Sequence, residues 1–219
     1  MSIQTIIDKA QQIEIDRRRV VSQTMSRSQR LKTAERSTAQ PWKFKVTPPG
    51  ALPWATSRGI IEEIVSNDRV TETQVNLSNS QGTRYITAYQ GQFSQVQLNA
   101  LTISTSTTST LVITNLPAVA GTMTSTTVVF AKGDIIQPAN SRYPYAVTDN
   151  VLRGTGSTTT ATLHRPIITS EGLYLPNMAV NVGNSCTWRV VVGGLPTYTL
   201  IPGQLVQYTG DFELIEKVI

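Results

Sequence analysis

At 219 residues the chain is long enough to bury a core, as one large β domain or two small ones. Charged residues make up only 15% and aromatic residues 6%, while Ser and Thr are abundant, a composition that suits extended β structure and protein contacts. The single cysteine, Cys186, excludes an internal disulfide framework and a multi-cysteine metal site, and it is consistent with assembly in a reducing cytoplasm. No apolar run reaches about 18 residues, and acidic residues interrupt the apolar N-terminus, so we expect neither a membrane span nor a signal peptide.

The positive charge is concentrated at the N-terminus. Residues 1–45 hold ten Lys or Arg and four Asp or Glu, a net charge of +6, whereas residues 46–219 hold nine and ten, a net charge of −1. The helical spacing of apolar residues from Ile3 to Ile13 predicts a first helix of three to four turns, with Ser2 as its cap.

Beyond that helix, Arg, Ser, Thr and Gln dominate as far as Gln40. Such a segment is ordered only against a partner, so residues 1–40 are predicted to be an N-terminal helix and basic arm that docks on a neighbouring subunit or on nucleic acid. The alternative is a solvated linker, but a linker gains nothing from so many basic residues. The predicted assembly arm consists of Arg17, Arg18, Arg19, Arg27, Arg30, Lys32 and Arg36.

Residues 41–125 are predicted to form the main β module. Alternation over residues 42–46 predicts a strand that buries Trp42, Phe44 and Val46 and exposes Lys43 and Lys45. Apolar residues at one-turn spacing then predict an amphipathic helix over residues 54–68. The apolar positions of this helix are Ile60, Ile61, Ile64 and Val65.

A long two-stranded ribbon is predicted to follow the helix. The stretch TETQVNLSNSQGTRYITAYQGQF alternates apolar and polar residues on both sides of a Ser-Asn-Ser-Gln-Gly turn. The β pattern continues through Val96, Leu98, Leu101 and Ile103, and the Ser/Thr-rich segment before residues 111–114 predicts a long exposed hairpin.

The remainder of the chain reads as short strands separated by Gly and Pro turns. Residues 126–170 are predicted to be a small inserted subdomain, barrel-like or sandwich-like. Residues 171–219 are predicted to supply C-terminal strands that complete the main sheet, with Cys186, Trp188, Val190 and Val192 on one face. The expected fold is therefore mainly β, with a short N-terminal helix and one amphipathic helix.

The sequence contains no motif typical of catalysis or metal binding. Any Ser-His-Asp or Cys-His mechanism must use the single histidine, His164, and no nucleophile elbow accompanies it. His164 and Cys186 lie on strand-like segments, where a packed core residue is the commoner explanation. Because there is also no Walker lysine, HExxH or calcium loop, we expect no enzymatic activity, no cofactor and no small-molecule substrate.

Two groups of residues leave a ligand-binding alternative open. Tyr143 and Tyr145, beside Arg142, are candidates for stacking on a base or a sugar ring, although such residues around a proline more often fix a turn. Paired carboxylates for glycoside hydrolysis are a second candidate, which nothing in their spacing favours. These carboxylates are Asp134, Asp149, Asp211 and Glu213.

The strand PWKFKVTPP, the helix ATSRGIIEEIVSNDR, the ribbon TQVNLSNSQGTRYITAYQGQF and the closing GDFELIEKV together resemble the tail-tube-like proteins of contractile-tailed bacteriophages. These include tube initiators and baseplate components, and the resemblance covers about half of the chain. It implies a β-sandwich module whose hairpins line a six-fold ring, with the helix packed outside. Residues 70–93 would be the ring-forming strands, and residues 126–165 would face outward or toward other baseplate parts. The ring hairpin would then include Val75, Leu77, Tyr85 and Tyr89.

The resemblance further implies a virion location. It implies as partners other copies of this chain, other tail or baseplate proteins, and passing or packaged DNA. In this interpretation, inter-subunit β pairing closes the ring, and the N-terminal helix and arm lock an adjacent ring or protein.

Two alternatives remain open at this point. One is an icosahedral coat protein, in which residues 17–45 bind genomic nucleic acid and the rest forms a jelly roll. A jelly roll tolerates only short helices, so the predicted helix over residues 54–68 separates it from the tube module. The other is a carbohydrate-binding or carbohydrate-hydrolysing tail module that uses Tyr143, Tyr145 and the four carboxylates.

Overall fold

The computed structural model describes residues 3–17, 21–25, 31–35, 40–66, 70–79, 84–169 and 176–218. The fold is mainly β, as predicted. The helices are α1 Gln4–Asp8, α2 Trp54–Ser66 and α3 Gln95–Ala100, with short 3₁₀ segments at Leu77–Asn79, Arg84–Ile86 and Gly183–Ser185. The strands are β1 Gln12–Asp16, β2 Val21–Met25, β3 Leu31–Glu35, β4 Lys43–Thr47, β5 Leu52–Pro53, β6 Thr73–Val75, β7 Thr102–Ser106, β8 Thr110–Thr114, β9 Val128–Phe130, β10 Ile135–Pro138, β11 Tyr145–Ala146, β12 Val151–Leu152, β13 Thr159–Thr162, β14 Met178–Val182, β15 Trp188–Gly194, β16 Thr197–Ile201, β17 Leu205–Thr209 and β18 Phe212–Glu216.

A five-stranded antiparallel sheet covers the first hydrophobic core. Its strand order is β1-β4-β18-β15-β6. Trp42, Phe44 and Val46 are at most 2% exposed, and the two intervening lysines face solvent, so the predicted alternation is confirmed. The Trp188 ring meets the rings of Trp42 and Phe44 edge to face, with centroids 5.8 and 5.7 Å apart. The predicted inner positions of the C-terminal strand are buried as well.

A six-stranded antiparallel sheet encloses the second core, in the order β11-β10-β14-β7-β8-β13. Its strands come from both sides of the boundary that we predicted at residue 126: β13 pairs with β8, and β10 pairs with β14. Residues 126–170 therefore share a sheet and a hydrophobic core with residues 102–114 and 178–182. Three smaller sheets, β16-β17-β5, β9-β12 and β2-β3, complete the topology.

The amphipathic helix is confirmed over Trp54–Ser66, which lies within the predicted range. Ile60, Ile61 and Ile64 are buried, whereas Val65 is 62% exposed. The helix packs against β5 and β17, so its apolar face covers the end of the first core. Within the described part of the chain, no helix is both long and apolar enough to cross a membrane.

The N-terminal helix is shorter than predicted. It ends at Asp8, and Ile13 lies in β1, where it pairs with Val46 of β4. The backbone amides and carbonyls of this segment form hydrogen bonds with β4. The helical spacing of the apolar residues does not indicate such a partner. The predicted cap, Ser2, lies outside the described residues. The arm that follows contains the antiparallel hairpin β2-β3.

The predicted ribbon over residues 75–89 is wrong. β6 ends at Val75 and pairs with β15, a strand more than one hundred residues away. The Asn76 side chain then accepts a hydrogen bond from the Ser78 amide at 2.7 Å, which turns the backbone into a 3₁₀ segment. Tyr85 lies in a second 3₁₀ segment and not in a strand.

The segment at Val96 and Leu98 is also not a strand. It forms helix α3, which begins with a capping box between Ser94 and Gln97. The Ser/Thr-rich hairpin, in contrast, is confirmed as β7-β8. Its turn is closed by a 2.7 Å contact between the hydroxyl groups of Thr107 and Thr110.

Candidate assembly surface

Strand β16 lies at an edge of its sheet, and four of its five residues are exposed. Tyr198 is 41% exposed and Leu200 is 62% exposed. They pair in register with Tyr208 and Val206 of β17, which are 7% and 0% exposed. Paired residues of an antiparallel ladder project to the same face. The apolar face of the first core therefore continues onto β16, where it is uncovered.

The backbone edge of β16 is uncovered as well. Among the described residues, its outer side forms no backbone hydrogen bond to another strand. Natural edge strands are usually protected by charged residues, Pro or a bulge. The sequence TYTLI has none of these, whereas β1, another five-residue edge strand, carries Glu14 and Asp16. β16 is thus an unprotected edge that is open to a further strand.

The basic arm is an insertion between two strands that pair with each other. Asp16 at the end of β1 is the register partner of Lys43 in β4. Residues 18–39 therefore leave and re-enter the sheet at neighbouring positions, and within them β2 and β3 form a separate two-stranded sheet. An isolated two-stranded hairpin is marginally stable in water. Such a hairpin gains stability from contact with a partner.

Of the predicted arm residues, Arg17 is the one whose side chain the structure describes. Its guanidinium lies over the Trp42 ring, 5.3 Å from the centroid. Lys32 lies in β3, and the arginines at positions 18, 19, 27, 30 and 36 lie outside the described residues. An open cavity of about 500 Å³ adjoins Arg17, with Lys132 and His164 also in its wall. The first arginine of the arm and Lys132 thus line the same cavity.

The four predicted ring-hairpin residues do not share one surface. Val75 and Leu77 are at most 1% exposed and belong to the first core. Tyr85 is 74% exposed, and the Tyr89 hydroxyl donates a 2.5 Å hydrogen bond to the Val129 carbonyl. Among the described strands, β16 has an exposed edge, and it lies far from this segment in sequence.

A buried ion pair, which sequence reasoning missed, joins the two cores. The Arg165 guanidinium donates to both carboxylate oxygens of Glu216, at 2.5 and 2.8 Å, and both side chains are fully buried. The same carboxylate accepts a hydrogen bond from the Trp42 amide at 3.0 Å. Arg165 also donates to the carbonyls of Pro144 and Gln40. The loop after β13 is thereby fixed to β4 and β18.

Tyr143 and Tyr145 are not available for stacking on a ligand. They are 2% and 0% exposed, and the Arg165 guanidinium lies 5.9 and 5.2 Å from their ring centroids. The Tyr145 hydroxyl accepts a hydrogen bond from the Ile168 amide, and burial raises its pKa. The prediction that these tyrosines are candidates for stacking on a base or a sugar is therefore wrong.

The side chains of Cys186 and His164 both make contacts within the folded chain. The Cys186 thiol donates to the Ile135 carbonyl at 3.6 Å, and burial raises its pKa well above the usual range. A thiol that stays protonated is a poor nucleophile. His164 Nδ1 accepts a hydrogen bond from the Ala146 amide, and its ring packs edge to face on Trp42.

The four candidate carboxylates do not form a paired site. Asp134 is 3% exposed, and its oxygens accept hydrogen bonds from the Gln90 and Ala131 amides, both at 2.8 Å. Asp149 accepts from the neighbouring Thr148 hydroxyl. Asp211 and Glu213 lie near the start of β18, where Asp211 accepts from Thr47. In the described ranges, no group of three or more His, Cys, Asp or Glu residues is placed to hold a metal ion.

No family model matches the chain, and no curated protein matches it at a significant level.

Proposed function

We propose that the protein is a structural subunit of a bacteriophage tail, as a tail-tube, tube-initiator or baseplate component, and that it forms a ring by β pairing between copies. The observation that carries this proposal is the unprotected edge of β16, with Tyr198 and Leu200 uncovered on the face that continues from the core. An exposed edge strand is a template for pairing with another chain. The proposal includes no enzymatic step.

Ring closure requires a heterologous contact, in which two different surfaces meet. The edge of β16 supplies one of these surfaces. Backbone hydrogen bonds along its five residues fix the orientation of the neighbouring strand, and burial of Tyr198 and Leu200 stabilises the contact. Because the strand has no charged side chain, pairing leaves no unpaired charge from β16 in the contact.

The arm has a separate role in the proposal. Residues 18–39 contain six Arg or Lys and one Glu, and they connect β1 to β4 in the chain. We propose that they dock on a neighbouring ring or on another tail protein. Because Ile6 and Ile7 of α1 are at most 1% exposed, removal of residues 1–40 would also damage the core. Replacement of residues 18–39 by a short Gly-Ser linker is the cleaner test, since it keeps β1 and β4 paired.

The helix α2 supports a tube module in preference to a jelly roll. It has 13 residues, and in the described part of the chain the longest strand, β15, has 7. A jelly-roll coat protein needs eight long strands in two sheets. The sheets described above have five, six, three, two and two strands.

The test is the mass distribution of the purified full-length protein, by mass photometry and negative-stain electron microscopy, with and without nuclease. We expect rings or short tubes that survive nuclease. Leu200→Lys should dissociate them, because it places a charge on the edge. Val65→Lys is the matched control, since Val65 is also 62% exposed but lies on a helix. Assemblies that require nucleic acid would favour the coat-protein alternative, and rings unaffected by Leu200→Lys would contradict the proposed contact.

The linker variant separates the two roles. We expect it to fold and to form single rings that fail to stack or to join other tail proteins. A linker variant that stacks as the wild type does would exclude the docking role of the arm.

A further inference from the structure

A polar cleft lies where the edge of the five-stranded sheet meets the loop that follows β10. It has a volume of about 260 Å³. Gln74 comes from β6 and Arg189 from β15, where the two are register partners. The loop brings Asn140, Ser141 and Arg142 to the opposite wall. None of its lining residues belongs to β16 or to the basic arm.

The walls of the cleft are fixed by a buried amide. Gln137 is 2% exposed, and its Nε2 donates to the carbonyls of Ser141 and Thr187 at 2.9 and 3.0 Å. Its Oε1 accepts from the Thr187 amide at 2.9 Å. One side chain thus holds the loop against the start of β15. The cleft is therefore preformed, and little conformational entropy is lost when a ligand binds.

The charge of the cleft is positive. Arg142 forms an ion pair with Glu72, with 2.8 Å between Nη1 and Oε1. Arg189, in contrast, has no carboxylate partner among the residues that the structure describes. The lining side chains add amide and hydroxyl groups that can donate hydrogen bonds. Apart from Ala139, every lining residue is polar.

We propose that this cleft binds a phosphate group, with the Arg189 guanidinium as the main contact and Arg142 as the second. A guanidinium presents its donors in a planar fork that matches two oxygens of a tetrahedral oxyanion. Asn140 and Gln74 can donate to the remaining oxygens. The absence of an apolar wall argues against a hydrophobic ligand. This inference does not depend on the proposed tail function.

The test is isothermal titration calorimetry of the full-length protein with inorganic phosphate, at an ionic strength held constant with sodium chloride. Arg189→Gln keeps a polar side chain at the sheet surface but removes the charge, and it should weaken binding by about tenfold or more, because it removes charge-assisted hydrogen bonds. Arg58→Gln, on the exposed side of α2, is the charge-matched control and should bind as the wild type does. Thermal unfolding of each variant without phosphate confirms that it is folded.

Glycerol phosphate and a short DNA duplex distinguish the possible sources of the phosphate group. Binding of phosphate and glycerol phosphate that is lost in Arg189→Gln supports the cleft. Binding of phosphate with equal affinity in Arg189→Gln would overturn it. Binding of DNA alone, without inorganic phosphate, would also overturn it, because the basic arm would then be the site of contact.

Discussion

Replacement of Glu216 by Gln is expected to destabilise the protein severely, because it leaves the buried Arg165 guanidinium without its counter-charge. The carboxylate receives hydrogen bonds from two guanidinium nitrogens and from the Trp42 amide, and both charged side chains have no exposed surface. Removal of one partner from a buried pair costs about 3–5 kcal/mol. In a domain of this size, 1 kcal/mol corresponds to about 2–4 °C, so the melting temperature should fall by roughly 6–20 °C.

Urea unfolding followed by near-ultraviolet circular dichroism measures this change in the free energy of unfolding. The double variant Arg165→Met/Glu216→Leu removes both charges, and it should be more stable than Glu216→Gln. Compared with the single variants Arg165→Met and Glu216→Leu, it should show a coupling energy of about 1–3 kcal/mol. The control is Glu213→Gln, at an exposed register partner of Lys45, which should change stability by less than about 1 kcal/mol. A loss below about 1 kcal/mol in Glu216→Gln, or a double variant whose loss equals the sum of the single losses, would refute this reasoning.

Three further predictions test the loops around the second core. Burial raises the pKa of Tyr89 from 10.0 to about 12, so the phenol of the unfolded chain ionises first and the free energy of unfolding should fall as pH rises between these values. Tyr89→Phe should cost about 1–3 kcal/mol near neutral pH and should reduce this loss of stability at alkaline pH. Urea unfolding at a series of pH values measures both effects. Burial likewise raises the pKa of Asp134 above 3.8, so wild-type stability should fall relative to Asp134→Asn as pH rises through 3.8, and a pH-independent difference between the two would contradict the assignment. Gly183→Ala should cost about 1–3 kcal/mol in chemical denaturation, because the residue has φ +57° and a Cβ would lie 2.6 Å from the carbonyl oxygen of residue 87, whereas Gly50→Ala, with nothing within 4 Å, should be neutral.

The parts of the fold that were predictable from sequence have apolar residues that recur with a clear helix or strand period. Alternation around Phe44 predicted β4, and one-turn spacing around Ile60 predicted α2, because each segment buries one face against a core. The Ser/Thr-rich hairpin was also predictable, since its two strands are adjacent in the chain and a short turn joins them.

The failures have identifiable physical causes. The alternation around Val75 correctly predicted a strand, but the partner of that strand is β15, more than one hundred residues later in the chain. Pairing between strands so far apart in sequence leaves no local signal. Helix α3 did have a signal, the capping box of Ser94 and Gln97, which the β-like spacing of Val96 and Leu98 obscured.

The functional surfaces were the least predictable. Arg165 and Glu216 are 51 residues apart, and nothing in their local sequence indicates that the two cores bring them together. Strands were predicted within residues 171–219, but the position of β16 at a free edge depends on strand order, which is a property of the whole sheet.

Hydrogen exchange of residues 197–201, compared between the assembled protein and its dissociated form, tests the central claim most directly. If β16 pairs with a neighbouring copy, amides on its outer edge become hydrogen-bonded, and this peptide should exchange much more slowly in the assembly than in the Leu200→Lys variant. The peptide covering β17, which already lies inside the sheet, should change little. Equal exchange of residues 197–201 in the two states would show that β16 stays free, and it would contradict the proposed assembly.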